Sequence, residues 1–189
     1  MELYDLMFKV KRNLLSVFRG GKIKICSLFY NNVAIEGFLR VGKNSELVTH
    51  PGCHIHIQKG VQVGRGTLIS VLPQGNLVVG EKVGIGSNGQ IVCHKRIVIG
   101  GHTLFGPNVM LFDHNHQYDF KTGVKRRAFD VGEITIGKNC WLGAGCIVLK
   151  DVHIGDNVVV AAGSVVSKDV PDGSVVAGIP AKVIKTKNQ

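Results

Sequence analysis

The stretch IGKNCWLGAGCIVLKDVHIGDNVVVAAGSVV, residues 136 to 166, places an aliphatic side chain at every sixth position. These positions are Ile136, Leu142, Val148, Ile154, Val160 and Val166. A six-residue period matches neither a helix of 3.6 residues per turn nor simple strand alternation. It indicates a repeat built from short strands separated by tight turns.

The same grid fits the preceding sequence in groups of three aliphatic or aromatic residues. The groups are Ile35, Val41 and Leu47; Ile57, Val63 and Ile69; Val79, Ile85 and Ile91; and Ile99, Phe105 and Leu111. Three repeats make one turn of a three-sided coil, and stacked coils bury each other's aliphatic side chains. The pattern therefore predicts an all-β protein, a parallel β-helix with a narrow apolar interior.

One long insertion interrupts the grid. Ile99 and Ile136 begin successive coils but lie 37 residues apart, whereas Ile136 and Ile154 lie 18 apart. We predict a loop at residues 112–133, which contains the sequence DHNH followed by a cluster of charges. Long loops in compact domains are usually functional or disordered. The rigid coil holds the root of such a loop in place. This favours His114, and then His116, as the functional histidine.

Composition limits the class of protein. The 189 residues carry a formal charge of +10, and 44% of them are hydrophobic, so a folded domain is expected. Zinc-finger spacing and RNA-binding sheet motifs are missing from the sequence, so we predict no nucleic-acid partner. Five cysteines without a CxxC pair, and no secretory signal, predict a reduced cytoplasmic chain. No apolar run approaches the roughly 18 residues that span a bilayer.

Residues 1–20 have the pattern of an amphipathic helix that Gly20 and Gly21 end. Such a helix either caps the open end of the β-helix or contacts a membrane surface peripherally through its lysines and arginines. Capping is favoured because repeat proteins require terminal caps.

The repeat and the ending VVAAGSVVSKDVPDGSVVAGIPAKVIK closely resemble the hexapeptide-repeat acyltransferases, which include galactoside, maltose and xenobiotic acetyltransferases. The resemblance covers about residues 35 to 187. It implies a left-handed β-helix and a homotrimer with active sites between subunits. The repeat itself does not indicate the hand, and the general crossover rule would favour a right-handed coil. The expected regions are a helix at 1–20, the β-helix at 21–178 and a coenzyme-binding tail at 179–189.

The resemblance also implies a site that transfers acetyl directly from acetyl-CoA. It places the general base on His114, with His116 as the rival base or as a contact to the acceptor. Asn88 and Asp113 are the other expected acceptor contacts, although Asn88 also suits a β-helix corner. The ring of His114 needs an orienting partner, for which Asp130 and Glu133 are candidates.

The coenzyme-binding residues that the resemblance implies fall in three groups. They are Trp141, Gly143, Ala144, Ala161 and Ala162 beside the pantetheine arm, Ser167, Lys168, Lys182 and Lys185 near the phosphates, and Ile179 and Pro180 beside the adenine. No metal is expected, because two histidines separated by one residue do not match the zinc spacing of β-helix carbonic anhydrases.

The leading hypothesis is an acetyl-CoA-dependent O-acetyltransferase that acts on a sugar or polysaccharide precursor. An N-acetyltransferase of an amino sugar nucleotide is the close alternative. A non-catalytic trimeric binding module and a carbonic anhydrase come from other classes. The loop lacks a repeat pattern, so the sequence does not identify the acceptor.

Overall fold

The computed structural model describes residues 32–186, and every regular element in that range is a β-strand. In chain order the strands are β1 (Val33–Ile35), β2 (Arg40–Val41), β3 (Glu46–Thr49), β4 (His54–Ile57), β5 (Gln62–Val63), β6 (Leu68–Val71), β7 (Asn76–Val79), β8 (Gly84–Ile85), β9 (Gln90–Cys93), β10 (Arg96–Ile99), β11 (Leu104–Phe105), β12 (Met110–Phe112), β13 (His114–Asp119), β14 (Gly123–Val131), β15 (Glu133–Ile136), β16 (Trp141–Leu142), β17 (Ile147–Val148), β18 (Val152–Ile154), β19 (Val159–Val160), β20 (Val165–Val166), β21 (Ser174–Gly178) and β22 (Ala181–Thr186). The expected helix at residues 1–20 lies outside the described residues.

The strands form three parallel sheets that wind into about six coils. The first sheet has the order β1-β4-β7-β10-β15-β18, and the third joins β3, β6, β9, β12, β17 and β20. The second runs β2-β5-β8-β11-β16-β19-β21 and ends with β22, which pairs antiparallel to β21. The chain therefore contributes one strand to each of the three sheets in every coil. This confirms the predicted parallel β-helix.

The interior follows the six-residue grid. On the third sheet, for example, Leu47 pairs with Ile69, Ile91 with Leu111, and Leu111 with Val148. All of the predicted inward positions are buried except Leu47 in the first coil, which is partly buried. A fully buried aliphatic side chain of this size contributes about 1.5–3 kcal/mol. The stacked columns are therefore the main source of stability in the coil.

The corners of the coil contain residues with a left-handed backbone. At the corner between the second and third sheets, the positive-φ residues stack from coil to coil as Asn44, Gly66, Asn88, Asn108, Gly145 and Gly163. Backbone hydrogen bonds join them, as from Asn88 N to Arg65 O and from Asn108 N to Ser87 O. Asparagine and glycine are the residues that tolerate this conformation most readily, which explains why they recur there.

Aspartate side chains at other turns accept hydrogen bonds from backbone N–H groups of the preceding coil. The Asp156 carboxylate accepts the Lys138 N–H at 2.7 Å, and Asp172 accepts the Asp156 N–H at 2.8 Å. Gly137 and Gly155 leave room for these carboxylates, because a Cβ at either glycine would overlap the aspartate oxygen. Each coil is thus tied to the next by backbone groups and by side-chain acceptors.

The insertion, predicted as a loop at residues 112–133, contains an antiparallel hairpin. Strands β13 and β14 pair His114 with Val131 and His116 with Phe129, and an irregularity follows before Tyr118 pairs with Val124. The hairpin leaves the coil after β12 and returns before β15. Among residues 32–186, no helix is long and apolar enough to cross a membrane.

Candidate active site

The root of the hairpin is fixed by a buried carboxylate. Asp113 is fully buried, and its two oxygens accept the backbone N–H groups of His94, Lys95 and Arg96 at 2.8–3.0 Å. Several hydrogen bonds to a charged acceptor stabilise a carboxylate strongly. This differs from the expectation that Asp113 contacts the acceptor, because a buried carboxylate with these partners is not accessible to one. Asp113 thus anchors the hairpin to the backbone that follows β9 in the preceding coil.

His114 lies directly beside this anchor and is mostly enclosed. Its side chain is 15% exposed, and its buried Nδ1 atom has no hydrogen-bond partner among the described residues. The nearest carboxylate oxygen to Nδ1 is Oδ1 of Asp113 at 3.5 Å, which is longer than a good hydrogen bond. The two groups are therefore neighbours without a hydrogen bond between them.

A second histidine packs against His114. The rings of His94 and His114 have centroids 3.9 Å apart and planes tilted by 33°. Burial, followed by the nearby charge of His114, lowers the pKa of His94, and Asp113 partly opposes this shift. His94 therefore favours its neutral form, and its ring holds one side of His114.

Phe129 covers the cluster from the other strand of the hairpin. Its ring lies 4.5 Å from His94, 5.5 Å from His114 and 4.6 Å from His116, measured between centroids. His116 is exposed, in contrast to His114. The two histidines that the sequence singled out thus share one aromatic neighbour but differ in access to solvent.

Lys150 ties the returning strand of the hairpin, β14, to the next coil. Its ammonium group lies 3.0 Å from Asp130 and 2.7 Å from Asp151, and these contacts raise the pKa of Lys150. Glu133 instead pairs with Lys95 at 3.1 Å and with Arg96 at 3.5 Å. Asp130 and Glu133, the candidate partners for the His114 ring, are therefore engaged with cations, and Asp113 is the carboxylate nearest to that ring.

The expected coenzyme-binding residues occupy three places. Trp141 points outward from the second sheet with 58% of its surface exposed, and Gly143, Ala144, Ala161 and Ala162 form corners that follow this sheet. The exposed Ser167 and Lys168 follow β20, at the same end of the third-sheet strands as His114. The tail carries the remaining four, all exposed: Ile179, Pro180, Lys182 and Lys185.

Asn88 and His114 lie at opposite ends of the strands of the third sheet. Asn88 occupies the corner before the third sheet with φ of 55°, whereas His114 follows that sheet. The Asn88 backbone serves the corner, as its turn propensity suggests. Within one chain, the Asn88 corner therefore lies where the strands of the third sheet begin, and the His114 cluster lies where they end.

The described thiols are all buried. Cys53, Cys93, Cys140 and Cys146 are all free and buried. Burial, reinforced by the charge of Asp113, raises the pKa of Cys93 to about 12, so this thiol beside the cluster is not a ready nucleophile. Among residues 32–186, no group of three or more His, Cys, Asp or Glu side chains is arranged to hold a metal ion.

Comparison with known sequences agrees with this repeat architecture. The family described as "Bacterial transferase hexapeptide (six repeats)" matches residues 133–168. A Dictyostelium discoideum protein named "Putative acetyltransferase" is 47% identical over 90 residues, which are 47% of this chain and 46% of that protein. The chain thus spans about half the length of this relative.

A second relative matches over more of its length. The Escherichia coli (strain K12) protein named "Putative lipopolysaccharide biosynthesis O-acetyl transferase WbbJ" is 29% identical over 161 residues, covering 77% of this chain and 81% of that protein. Among solved structures, a mutant of AntD, an N-acyltransferase from Bacillus cereus in complex with dTDP and coenzyme A, aligns with a TM-score of 0.71 at 17% identity. The alignment covers 85% of this chain and 88% of that one, and it shows a shared fold. The coil, the matching repeats at residues 133–168 and these relatives make the chain similar to the hexapeptide-repeat acyltransferases.

Proposed function

We propose that the protein is an acetyl-CoA-dependent O-acetyltransferase that acetylates a hydroxyl group of a sugar or polysaccharide precursor in the cytoplasm. The observation that carries the proposal is the enclosed His114 ring, held between Asp113, His94 and Phe129 at the hairpin root. The name of the Escherichia coli relative supports O-acetyl transfer. The free, buried cysteines accord with a reducing compartment.

His114 acts as the general base in this proposal. Because Nδ1 is buried, we assign proton removal to Nε2. As His114 takes the proton, the hydroxyl oxygen of the acceptor attacks the thioester carbonyl, the C–S bond breaks and the coenzyme A thiolate leaves and is protonated. General-base assistance of this kind is typically worth about 10²–10⁴-fold. No covalent enzyme intermediate is needed, which agrees with the unreactive thiol of Cys93.

His116 and Asn88 are proposed to contact the acceptor, and His116 is the rival base. His116 is exposed beside the cluster and is therefore accessible to a sugar. The separation of Asn88 from His114 within one chain supports a homotrimer in which neighbouring subunits complete each site. The left-handed coil that the resemblance implies belongs to the same proposal.

Acetyl-CoA is proposed to bind along the small residues of the corners, with its phosphates near the lysines. Gly143, Ala144, Ala161 and Ala162 leave the backbone open to a thin pantetheine arm. Lys168, Lys182 and Lys185 are exposed and form no ion pair among residues 32–186. A lysine supplies a point charge to phosphate rather than a bidentate fork.

Calorimetric titration with CoA and acetyl-CoA tests the proposal. We expect one site per subunit and weaker binding when Lys182 and Lys185 both become alanine. The matched control replaces the exposed Lys43 and Lys138 by alanine and should bind as the wild type does. Failure of the wild-type protein to bind either compound would contradict the transferase assignment and favour a non-catalytic module.

A panel of acceptors then separates the two kinds of transfer. Acetylation of hydroxyl sugars, measured by release of free thiol from acetyl-CoA, supports the O-acetyltransferase. Transfer only to amino sugar nucleotides would replace it by the N-acetyltransferase alternative.

A further inference from the structure

The hairpin tip, residues 118–127, exposes apolar side chains that the proposed chemistry does not use. Phe120 is 95% exposed, Tyr118 is 65% exposed and Val124 is 63% exposed. The rings of Tyr118 and Phe120 meet edge to face with centroids 5.4 Å apart. Contiguous exposed apolar groups of this kind commonly mark an interaction surface.

The same tip is strongly cationic. Lys121, Lys125, Arg126 and Arg127 are all exposed, and none forms an ion pair with another described residue. The carboxylate of Asp119 offsets only one of these four charges; it accepts hydrogen bonds from Lys121 N, Thr122 N and Thr122 Oγ1 and closes the turn of the hairpin. Asp130 is held by Lys150 at the base of the hairpin.

We propose that the hairpin tip docks on an anionic lipid bilayer surface. Phe120 and Tyr118 would enter the interfacial region, where aromatic side chains are favoured, while the lysines and arginines meet the lipid phosphates. A bilayer satisfies both halves of the tip, because it offers an apolar interior directly beneath a negatively charged surface. The inference does not depend on the proposed acetyl transfer.

Charge argues against the other occupants. A contact between the tips of two copies would bring their exposed lysines and arginines together, and these like charges repel. An anionic glycan matches the cations but provides no apolar region for a phenylalanine that is 95% exposed. The tip lies at the end of the hairpin opposite the root, where His114 pairs with Val131. Docking through the tip would therefore leave the coil and the His114 cluster outside the lipid.

Vesicle co-sedimentation of the full-length protein tests the proposal. The vesicles are phosphatidylglycerol mixed with phosphatidylethanolamine, compared with pure phosphatidylcholine, at low and high salt. Two variants remove the two halves of the tip separately: Phe120→Ser, and Arg126→Gln with Arg127→Gln. The matched control, Lys43→Gln with Arg65→Gln, removes the same charge from exposed positions on the first coils.

We expect the wild-type protein to bind the anionic vesicles and to dissociate in high salt, since surface charges are then screened. Removing two cations should weaken binding about 20- to 30-fold, and removing the Phe120 ring should weaken it about tenfold. The control should weaken it less than about threefold. Loss of binding in the control equal to that of the Arg126 and Arg127 variant would overturn the proposal in favour of diffuse charge.

Three other outcomes would also overturn it. One is wild-type binding by both tip variants, which would place any membrane contact elsewhere in the chain. Another is a change in sedimentation coefficient caused by Phe120→Ser, which would show that a second copy covers the tip. The last is equal affinity for a soluble anionic polysaccharide, which would make the tip a glycan surface.

Discussion

The coils that begin at Ile99 and at Ile136 have matching interiors and very different exteriors. Leu104 and Phe105 of the first pair with Trp141 and Leu142 of the second, and Leu111 pairs with Val148. The second coil reaches its successor in 18 residues, whereas the first carries a hairpin with mostly exposed side chains. The interior therefore tolerates a large insertion at one corner. We expect substitutions in the interior to change stability and substitutions at the hairpin root to change activity.

The largest effect is expected at the hairpin root. His114→Ala should lower the rate of acetyl transfer about 10²–10⁴-fold, because it removes the proposed general base, and should change the free energy of unfolding by less than about 1 kcal/mol. Thiol release from acetyl-CoA with an accepted sugar measures the rate. His116→Ala is the matched control and should mainly raise KM. A larger loss of kcat in His116→Ala would transfer the role of base to His116.

The interior provides the opposite case. Leu142 is fully buried between Phe105 and Val160, so Leu142→Ala should lower the free energy of unfolding by about 2–5 kcal/mol. Val124→Ala, at the exposed tip, should change it by less than about 0.5 kcal/mol. Urea unfolding measures both. Similar losses for the two variants would contradict the separation between coil and hairpin.

Asp113 joins the two regions, so its replacement should affect both properties. Asp113→Asn keeps the shape but loses the charge that accepts three backbone N–H groups, and we expect it to cost about 1.5–3 kcal/mol. Activity should fall as well, because the root that holds His114 loosens. The control is Asp169→Asn, an exposed corner carboxylate that accepts a single backbone N–H among residues 32–186, that of His153 at 2.7 Å. Loss of stability with full activity in Asp113→Asn would separate the anchor from the site.

The interior was predictable from the sequence because one period fixed it. Residues such as Ile136 and Val160 lie where the six-residue grid predicts them, since each inward position must stack on the next. The hairpin was not predictable in the same way. Residues 114–131 contain neither a clear strand alternation nor a two-residue glycine turn, and their pairing is irregular after His116.

His94 is a residue of the cluster that the sequence analysis did not single out. The signal for it was nevertheless present in the grid. Ile91 pairs with Leu111 and Val92 with Phe112, so the register continues from Cys93 to Asp113 and from His94 to His114. Lys150 had no such signal, because its contacts with Asp130 and Asp151 depend on the path of the hairpin.

The packing of His94 on His114 predicts a moderate effect on activity. His94→Ala removes the ring that supports His114 and should lower kcat about tenfold, since small displacements of catalytic groups are costly. His94→Phe keeps an aromatic ring at this position and should retain kcat within about threefold. Equal losses in the two variants would show that the imidazole nitrogens of His94, rather than its ring, are required.

The smallest expected effect is a change in how stability depends on pH. Burial and the charge of His114 lower the pKa of His94 in the folded protein, whereas in the unfolded chain its pKa is about 6.5. Between these two values the unfolded state binds more protons than the folded state. The contribution of His94 to stability is therefore complete above about pH 6.5 and is lost as the pH falls through the folded pKa.

His94→Phe removes this contribution and should flatten the fall in unfolding free energy between about pH 7.5 and pH 5.5, measured by urea unfolding. His153→Phe is the control, because His153 is exposed on β18 and should leave the wild-type slope unchanged. Two other imidazoles, His114 and His116, surround Phe129 with His94, and charge on either of them makes protonation of His94 less favourable. A wild-type slope in His94→Phe would mean that His94 accepts a proton as readily in the folded protein as in the unfolded chain. That result would contradict a neutral His94 ring packed against His114.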